Sequence, residues 1–210
     1  MGVMSPIDRL SALFEKFPGI GPRQARRFVQ YLLVAPPALR QDIAEQIRML
    51  GTQTAQCKKC YRWFDRGQEG PALKSPGVKA GPYCPICADM HREKSILFVV
   101  EKDADIDNVE RSNYKGLYFV LGGIIPLAAE EPEKHIRMRE LIKRAEADKP
   151  TEIILGLSAT TEGDHTRQIL AEKLQKTNSK ISSLGRGLST GSELEYADPD
   201  TIAQALGNRH

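Results

Sequence analysis

The chain holds four cysteines, all in two pairs of the form Cys-x-x-Cys: Cys57-Lys-Lys-Cys60 and Cys84-Pro-Ile-Cys87. Each pair can present two thiolates from one tight turn, and two such pairs can surround a tetrahedral Zn²⁺. Four sulfur ligands leave no coordination position open, so the expected metal is structural, one Zn²⁺ per chain, held by Cys57, Cys60, Cys84 and Cys87. The competing reading is a redox dithiol, but such motifs come singly and at the start of a helix. His91 is close in sequence and is not needed as a ligand. The segment around the cysteines has little periodicity and cannot build a core by itself, so the metal is expected to supply much of its folding free energy.

A second constellation is the stretch FPGIGPRQARRF, from Phe17 to Phe28. Gly19 and Gly21 let the backbone turn tightly without a Cβ in the way, so amide N–H groups at the start of the following helix can face a phosphate while the helix dipole adds favourable charge. Arg23 and Arg27, four residues apart, share a face beside those amides. Such contacts grip a sugar-phosphate backbone and carry no base information. Arg26 points about 100° away from Arg27 on a helix. A plain hairpin turn with solvated arginines is the alternative reading of the same residues.

A third group is acidic: Glu101, Asp103, Asp105 and Asp107 follow an apolar run that reads as a strand. Carboxylates at the carboxyl edge of a parallel sheet can hold Mg²⁺ for phosphoryl chemistry. A metal site of that kind would want further acids directly after the strand over 152–157, where the sequence has Ser158, Ala159 and Thr160. Glu162 and Asp164 come only later, where a helix start attracts acids anyway. A Mg²⁺-dependent nuclease or primase-like enzyme using Glu101, Asp103 and Glu162 therefore stands as the weaker alternative. No GxxxxGK[ST] loop is present, so ATP hydrolysis has no sequence basis. His135, His165 and His210 are lone histidines read as surface residues.

The elements that must position these groups are legible from the pattern. Ser5, Pro6 and Asp8 open a helix with an N-cap, a proline at the first position and an acid in the first turn. A second helix starts at Pro22 and runs to Val34, and a third spans about 38–53, so the first fifty residues form a small helical module. From Ser95 onward strands and helices alternate: strands over 96–101, 117–123, 152–157 and 180–185, helices near 105–113, 131–147 and 164–176. Near-continuous Val, Ile and Leu strands between amphipathic helices indicate a parallel sheet covered on both faces. A glycine-rich stretch and a short helix capped near Asp198 follow.

Of 210 residues, 40% are hydrophobic and 27% charged, and no apolar run approaches the ~18 residues of a membrane span. The first residues lack a basic segment followed by an apolar stretch, which reads as a cytoplasmic protein. Residues 1–95 hold 15 Lys and Arg against 8 Asp and Glu, whereas residues 96–210 hold 15 against 19. A polyanionic partner for the front half fits that asymmetry.

In their order along the chain, FPGIGPRQARRF, the two cysteine pairs, VVEKDADIDNVE, YKGLYFVLGG, TTEGDHT and GRGLSTGSELEYAD resemble the RecR family of bacterial recombination mediators over nearly the whole length. The resemblance implies an α/β multidomain protein: a helix-hairpin-helix DNA-binding module over 1–54, a four-cysteine zinc module over 55–94, a Toprim domain over 95–186 and a C-terminal tail over 187–210 that contributes an oligomer contact. It implies a non-enzymatic, sequence-blind DNA-binding protein of recombinational DNA repair, with Gly19, Gly21, Arg23 and Arg27 on DNA. The expected assembly is a ring-like homotetramer that works with RecO and RecF to load RecA on single-stranded DNA coated by single-strand-binding protein. Glu101, Asp103 and Glu162 would lie on the partner-binding face. Catalytic Toprim enzymes end the third strand in Asp-x-Asp, and the matching positions here are Ser158 and Thr160. The location implied is cytoplasmic, at the nucleoid when engaged on DNA. One departure from the family is the loop of 23 residues between Cys60 and Cys84, expected to change the local shape of the zinc module and to add a basic flap without removing a ligand.

Overall fold

The computed structural model describes residues 4–67, 81–188, 191 and 193–207. Residues 68–80 of the long loop, and with them the expected flap, lie outside the described residues, as does His210. Contacts divide the chain into one unit up to Thr54 and a second from Ala55 onward.

In the first unit, helix α1 (Pro6–Phe14) starts as its sequence predicts, with the Ser5 side chain accepting from the Asp8 amide and proline in the first turn. Helix α2 (Pro22–Val34) follows the glycine turn, and α3 (Pro37–Gln53) follows Ala35-Pro36. Phe14 meets Phe28 edge-on at 5.7 Å, which fixes α1 against α2. Ala25 and Val29 are the buried residues of α2. Arg40 ties α3 back to the end of α2 by donating to the carbonyls of Leu32 (3.0 Å) and Ala35 (2.8 Å), groups that a helix C-terminus leaves without intrahelical partners.

The second unit is built on a parallel sheet in the order β4-β3-β5-β6, from strands β3 (Glu93–Val100), β4 (Gly116–Val120), β5 (Glu152–Gly156) and β6 (Lys180–Ser183). Helices α5 (Asp103–Arg111), α6 (Met138–Asp148) and α7 (Thr161–Leu174) connect them, and α8 (Pro199–Gly207) closes the described chain with Asp198 accepting from the Thr201 amide. Side-chain alternation along β3 separates two cores. Leu97 and Val99 face Leu141 and Ala145 of α6 together with Leu170 and Leu174 of α7. Phe98 and Val100 face Ile106 of α5 and, beside it, Cys57, Cys60, Phe64 and Cys84. The second face of the sheet is therefore covered by one helix and the cysteine segment together, where the sequence pattern predicts helices alone.

That segment contains a two-stranded sheet of β1 (Thr54–Gln56) and β2 (Trp63–Asp65) and one helical turn, α4 (Pro85–Ala88). Its backbone is bonded to the large sheet by Val120 N–H donating to Cys60 O at 2.8 Å. The helix expected over 131–147 begins only at Met138, with a short 3₁₀ turn over Pro132–Lys134 ahead of it. Arg137 N–H donates to Leu121 O, and Ile136 is buried in the first core, so this stretch is tied to the end of β4 and stays outside the helix.

Candidate nucleic-acid interface and metal centre

The turn between α1 and α2 places Gly19 at φ +79°, a left-handed conformation that glycine adopts without steric cost. Gly21 differs: it is the N-cap of α2 at φ −87°, and a Cβ built on it would have nothing within 4 Å. The fold does not require glycine there, and the effect of its bareness is an open approach to the helix end. Among the described residues no side chain caps α2, Pro22 has no N–H to offer, and the first main-chain bond runs from Ala25 N–H to Gly21 O at 3.0 Å. The amides of Arg23 and Gln24 precede that bond and lie at the positive end of the helix dipole. Exposed Arg23, Arg26, Arg27 and Gln30 line one surface concavity of about 510 Å³. Arg26 also meets Asp8 of α1 at 3.6 Å, and Arg27 donates to Gln24 Oε1 at 3.5 Å. Arg23 and Arg27 thus share one exposed surface, and Arg26, which the helix period turns away from Arg27, lines it as well while meeting Asp8.

The four cysteine sulfurs lie within 4.8 Å of one another, with Cys60 and Cys84 Sγ at 3.5 Å. Tetrahedral ligands at about 2.3 Å from Zn²⁺ stand roughly 3.8 Å from one another, so the donor set fits the ion in number, element and spacing. Cys57, Cys60 and Cys84 are almost wholly buried. Thiols packed this closely compete for charge. Hydrogen bonding with Cys60, then with Cys84 and Cys87, holds Cys57 far below the usual thiol range, and the bond with Cys57 pushes Cys60 far above it. A divalent ion held by Cys57, Cys60, Cys84 and Cys87 would remove the conflict by taking all four as thiolates. The first turn is closed by Tyr61 N–H to Cys57 O (3.0 Å) and Cys57 N–H to Arg62 O (2.8 Å), with Tyr61 at φ +63°. Tyr61 then packs edge-on against Phe119 at 5.5 Å and lies under the Arg137 guanidinium at 5.2 Å.

At the carboxyl edge of the sheet, Val100 is level with Val120 on one side and Gly156 on the other. The residues that follow these strands converge there. Glu101 Oε1 accepts from Ser158 N–H (3.0 Å) and from Ser158 Oγ–H (2.6 Å). Asp103 accepts from Trp63 N–H at 3.1 Å, and its burial pushes its carboxyl above the usual range. Asp105 accepts from Lys102 N–H (2.8 Å), and Asp107 pairs with Arg62 (2.9 Å). Asp103 and Asp107 consequently join α5 to the cysteine segment. Glu162 lies half-buried in the first turn of α7. Asp164 accepts from Arg167 and Arg186.

Gly163, in the first turn of α7, has no room for a side chain: a Cβ would fall 2.1 Å from Ser158 O. Its amide donates to the N-cap Thr160 Oγ1 at 3.1 Å. The Gly in TTEGDHT therefore lets α7 approach the loop that carries Ser158.

A family model for the Toprim domain matches residues 95–185, and one described as RecR, C-terminal matches residues 187–210. Over 204 residues the chain is 37% identical to the recombination protein RecR of Bifidobacterium longum subsp. infantis, covering 97% of this chain and 94% of that one. The chain belongs to the RecR family. The RecR proteins of Amoebophilus asiaticus (36% identical, 97% of this chain and 92% of that one) and Chloroflexus aggregans (33%, 99% and 94%) match to similar extents. In this RecR-family chain the Toprim match ends within two residues of where the C-terminal match begins. No helix among the described residues is long and apolar enough to cross a membrane.

Sequence reasoning missed two residues that the structure puts to use. Arg137 donates to Val120 O at 3.1 Å and covers Tyr61; nothing in its neighbourhood of charged residues marks it out. Arg144 is 7% exposed on α6, between the buried positions Leu141 and Ala145. An arginine on the apolar face of an amphipathic helix was the available signal.

Proposed function

We propose that this chain is a sequence-blind DNA-binding mediator of recombinational DNA repair that catalyses no reaction itself. The observation that carries the reading is the uncapped start of α2, open at Gly21 and flanked by Arg23 and Arg27. Amides and guanidinium groups in that arrangement suit phosphate oxygens of any sequence. Two arginines give a weak hold, so the working form is a ring-like homotetramer that presents several copies of the grip around DNA. An apolar groove of about 670 Å³ in the helical unit, with Leu13, Phe17, Leu33 and Ile47 more than half exposed, supports self-association.

RecO and RecF are the proposed protein partners, meeting the acidic carboxyl edge at Glu101, Asp103 and Glu162, and the proposed outcome is loading of RecA on single-stranded DNA coated by single-strand-binding protein. Zn²⁺ is the proposed occupant of the cysteine cluster, with a structural role, and the cytoplasm, at the nucleoid, is the proposed location. Ser158 and Thr160 in place of acids, and a Glu101 oxygen already taken by Ser158, support the absence of phosphoryl chemistry.

The test is Arg23→Glu combined with Arg27→Glu. Binding to DNA in a low-salt mobility assay should be lost while the thermal melt and capture of RecO are kept. Unchanged affinity overturns the assignment.

A further inference from the structure

Four thiolates around Zn²⁺ carry a net charge of minus two, and a buried charge needs a counter-charge. Resting on the reading of the cysteine cluster as a Zn²⁺ centre, we propose that Arg144 supplies it: the buried Nη2 group donates to a thiolate on the Cys60 and Cys87 side of the loaded cluster and so couples metal binding to helix α6.

The geometry carries this. Arg144 leaves α6 on its buried face, and two of its three guanidinium nitrogens have partners. Nε donates to Asp148 Oδ2 at 2.7 Å, and Nη1 donates to Lys59 O at 2.5 Å, the carbonyl immediately before Cys60. Nη2 is buried with no acceptor among the described residues. The side chain is thus pinned at the carbonyl one residue before the ligand Cys60, with one N–H group left unpaired. Burial alone would weaken the charged form of Arg144; the hydrogen bond to Asp148 offsets it, so the guanidinium stays charged. Asp148 is itself 3.9 Å from Lys59 Nζ, which closes a chain of alternating charge from the thiolates outward.

Arg144 acts as a positioning residue. A planar fork can serve Asp148, the Lys59 carbonyl and a thiolate at once, and a lysine cannot. Metal occupancy would then be felt by α6, whose Leu141 and Ala145 are part of the core on the opposite face of the sheet from the cysteines.

The test begins with the zinc content of the purified wild-type protein. A chain without stoichiometric zinc overturns the metal reading and this proposal with it. With zinc present, Arg144→Lys and Arg144→Gln should transfer Zn²⁺ to 4-(2-pyridylazo)resorcinol about 10-fold faster or more, the usual range for loss of an outer partner of a metal ligand. In the Co²⁺-substituted protein the thiolate-to-metal charge-transfer band should shift in both variants and stay put in Arg139→Gln, a control on the same helix. A purely structural role would speed release without moving the band. Wild-type release rates with unshifted bands overturn the proposal while leaving the zinc reading intact. Should neither variant fold, a crystal structure of the zinc-loaded wild type decides: Nη2 within hydrogen-bonding distance of a cysteine sulfur supports the proposal, and a larger separation overturns it.

Discussion

Ser158 gives both its backbone N–H and its hydroxyl to one oxygen of Glu101, 57 residues earlier in the chain, at 3.0 and 2.6 Å. The pair sits where the carboxyl ends of β3 and β5 meet, so the acid that a phosphoryl-transfer site would aim at a metal is instead tied to its neighbour strand.

Replacing that donor by an acid should reverse its role. Ser158→Asp removes a hydroxyl donor and sets a second carboxylate against Glu101, at a cost of about 1 to 3 kcal/mol. The melting temperature should fall by roughly 2 to 4 °C per kcal/mol. Millimolar Mg²⁺ should restore part of the loss in the variant and leave the wild type unmoved. Scanning calorimetry with and without Mg²⁺ checks this, and an equal Mg²⁺ response in both proteins argues against it.

Gly19 and Gly21 should behave differently. Gly19→Ala forces a Cβ into φ +79° and should destabilise the helical unit by about 1 to 2 kcal/mol. Gly21→Ser meets open space, adds an N-cap hydroxyl and should stabilise α2 by a few tenths of a kcal/mol. The new hydroxyl occupies the amides proposed to meet phosphate, so DNA affinity should drop as the melting temperature rises slightly. Paired melts and low-salt titrations read both signs.

Gly163→Ala should be among the most damaging single substitutions in the second unit. Its Cβ would meet the Ser158 carbonyl at 2.1 Å, and a backbone atom cannot rotate away. Overpacking of this kind costs about 1 to 3 kcal/mol or more. Urea denaturation should show the loss, and the displaced Ser158 should release Glu101.

Stability should also fall in acid through Glu110. Its burial would raise the carboxyl, but hydrogen bonds from Arg92 and from Tyr118 Oη (2.6 Å) outweigh that and hold it below the usual range. A depressed folded value means the contribution is complete above about pH 4.3 and is lost as pH falls toward Glu110's own value. Glu110→Gln should lower stability at neutral pH and flatten its dependence on pH in that acid window. Urea midpoints across the range test the sign.

The order of elements was readable because it rests on local signals: Ser5 and Pro6 at the start of α1, Pro22 at α2, the apolar runs of β3 and β5. The cysteine set was readable because its spacing is its chemistry. Other features depend on partners far away in sequence. Leu121 and Ile136 act across the chain to keep residues before Met138 out of α6, although their own pattern favours a helix. The absence of acids at 158 and 160 was visible in the sequence, yet that Ser158 serves Glu101 was not, since the pairing depends on the strand order. Asp103 read as a candidate metal ligand or a partner-face acid, and only the fold brings Trp63 N–H to it.

The hydrogen bond from Val120 to Cys60 has one more consequence. β4 is the outermost strand of its sheet, and the cysteine turn occupies a backbone group that would otherwise face solvent. An unpaired strand edge is a template for another chain. Chelation should therefore do more than loosen a local turn: stripped molecules gain a sticky border, and their loss from solution should follow as precipitation that rises with protein concentration.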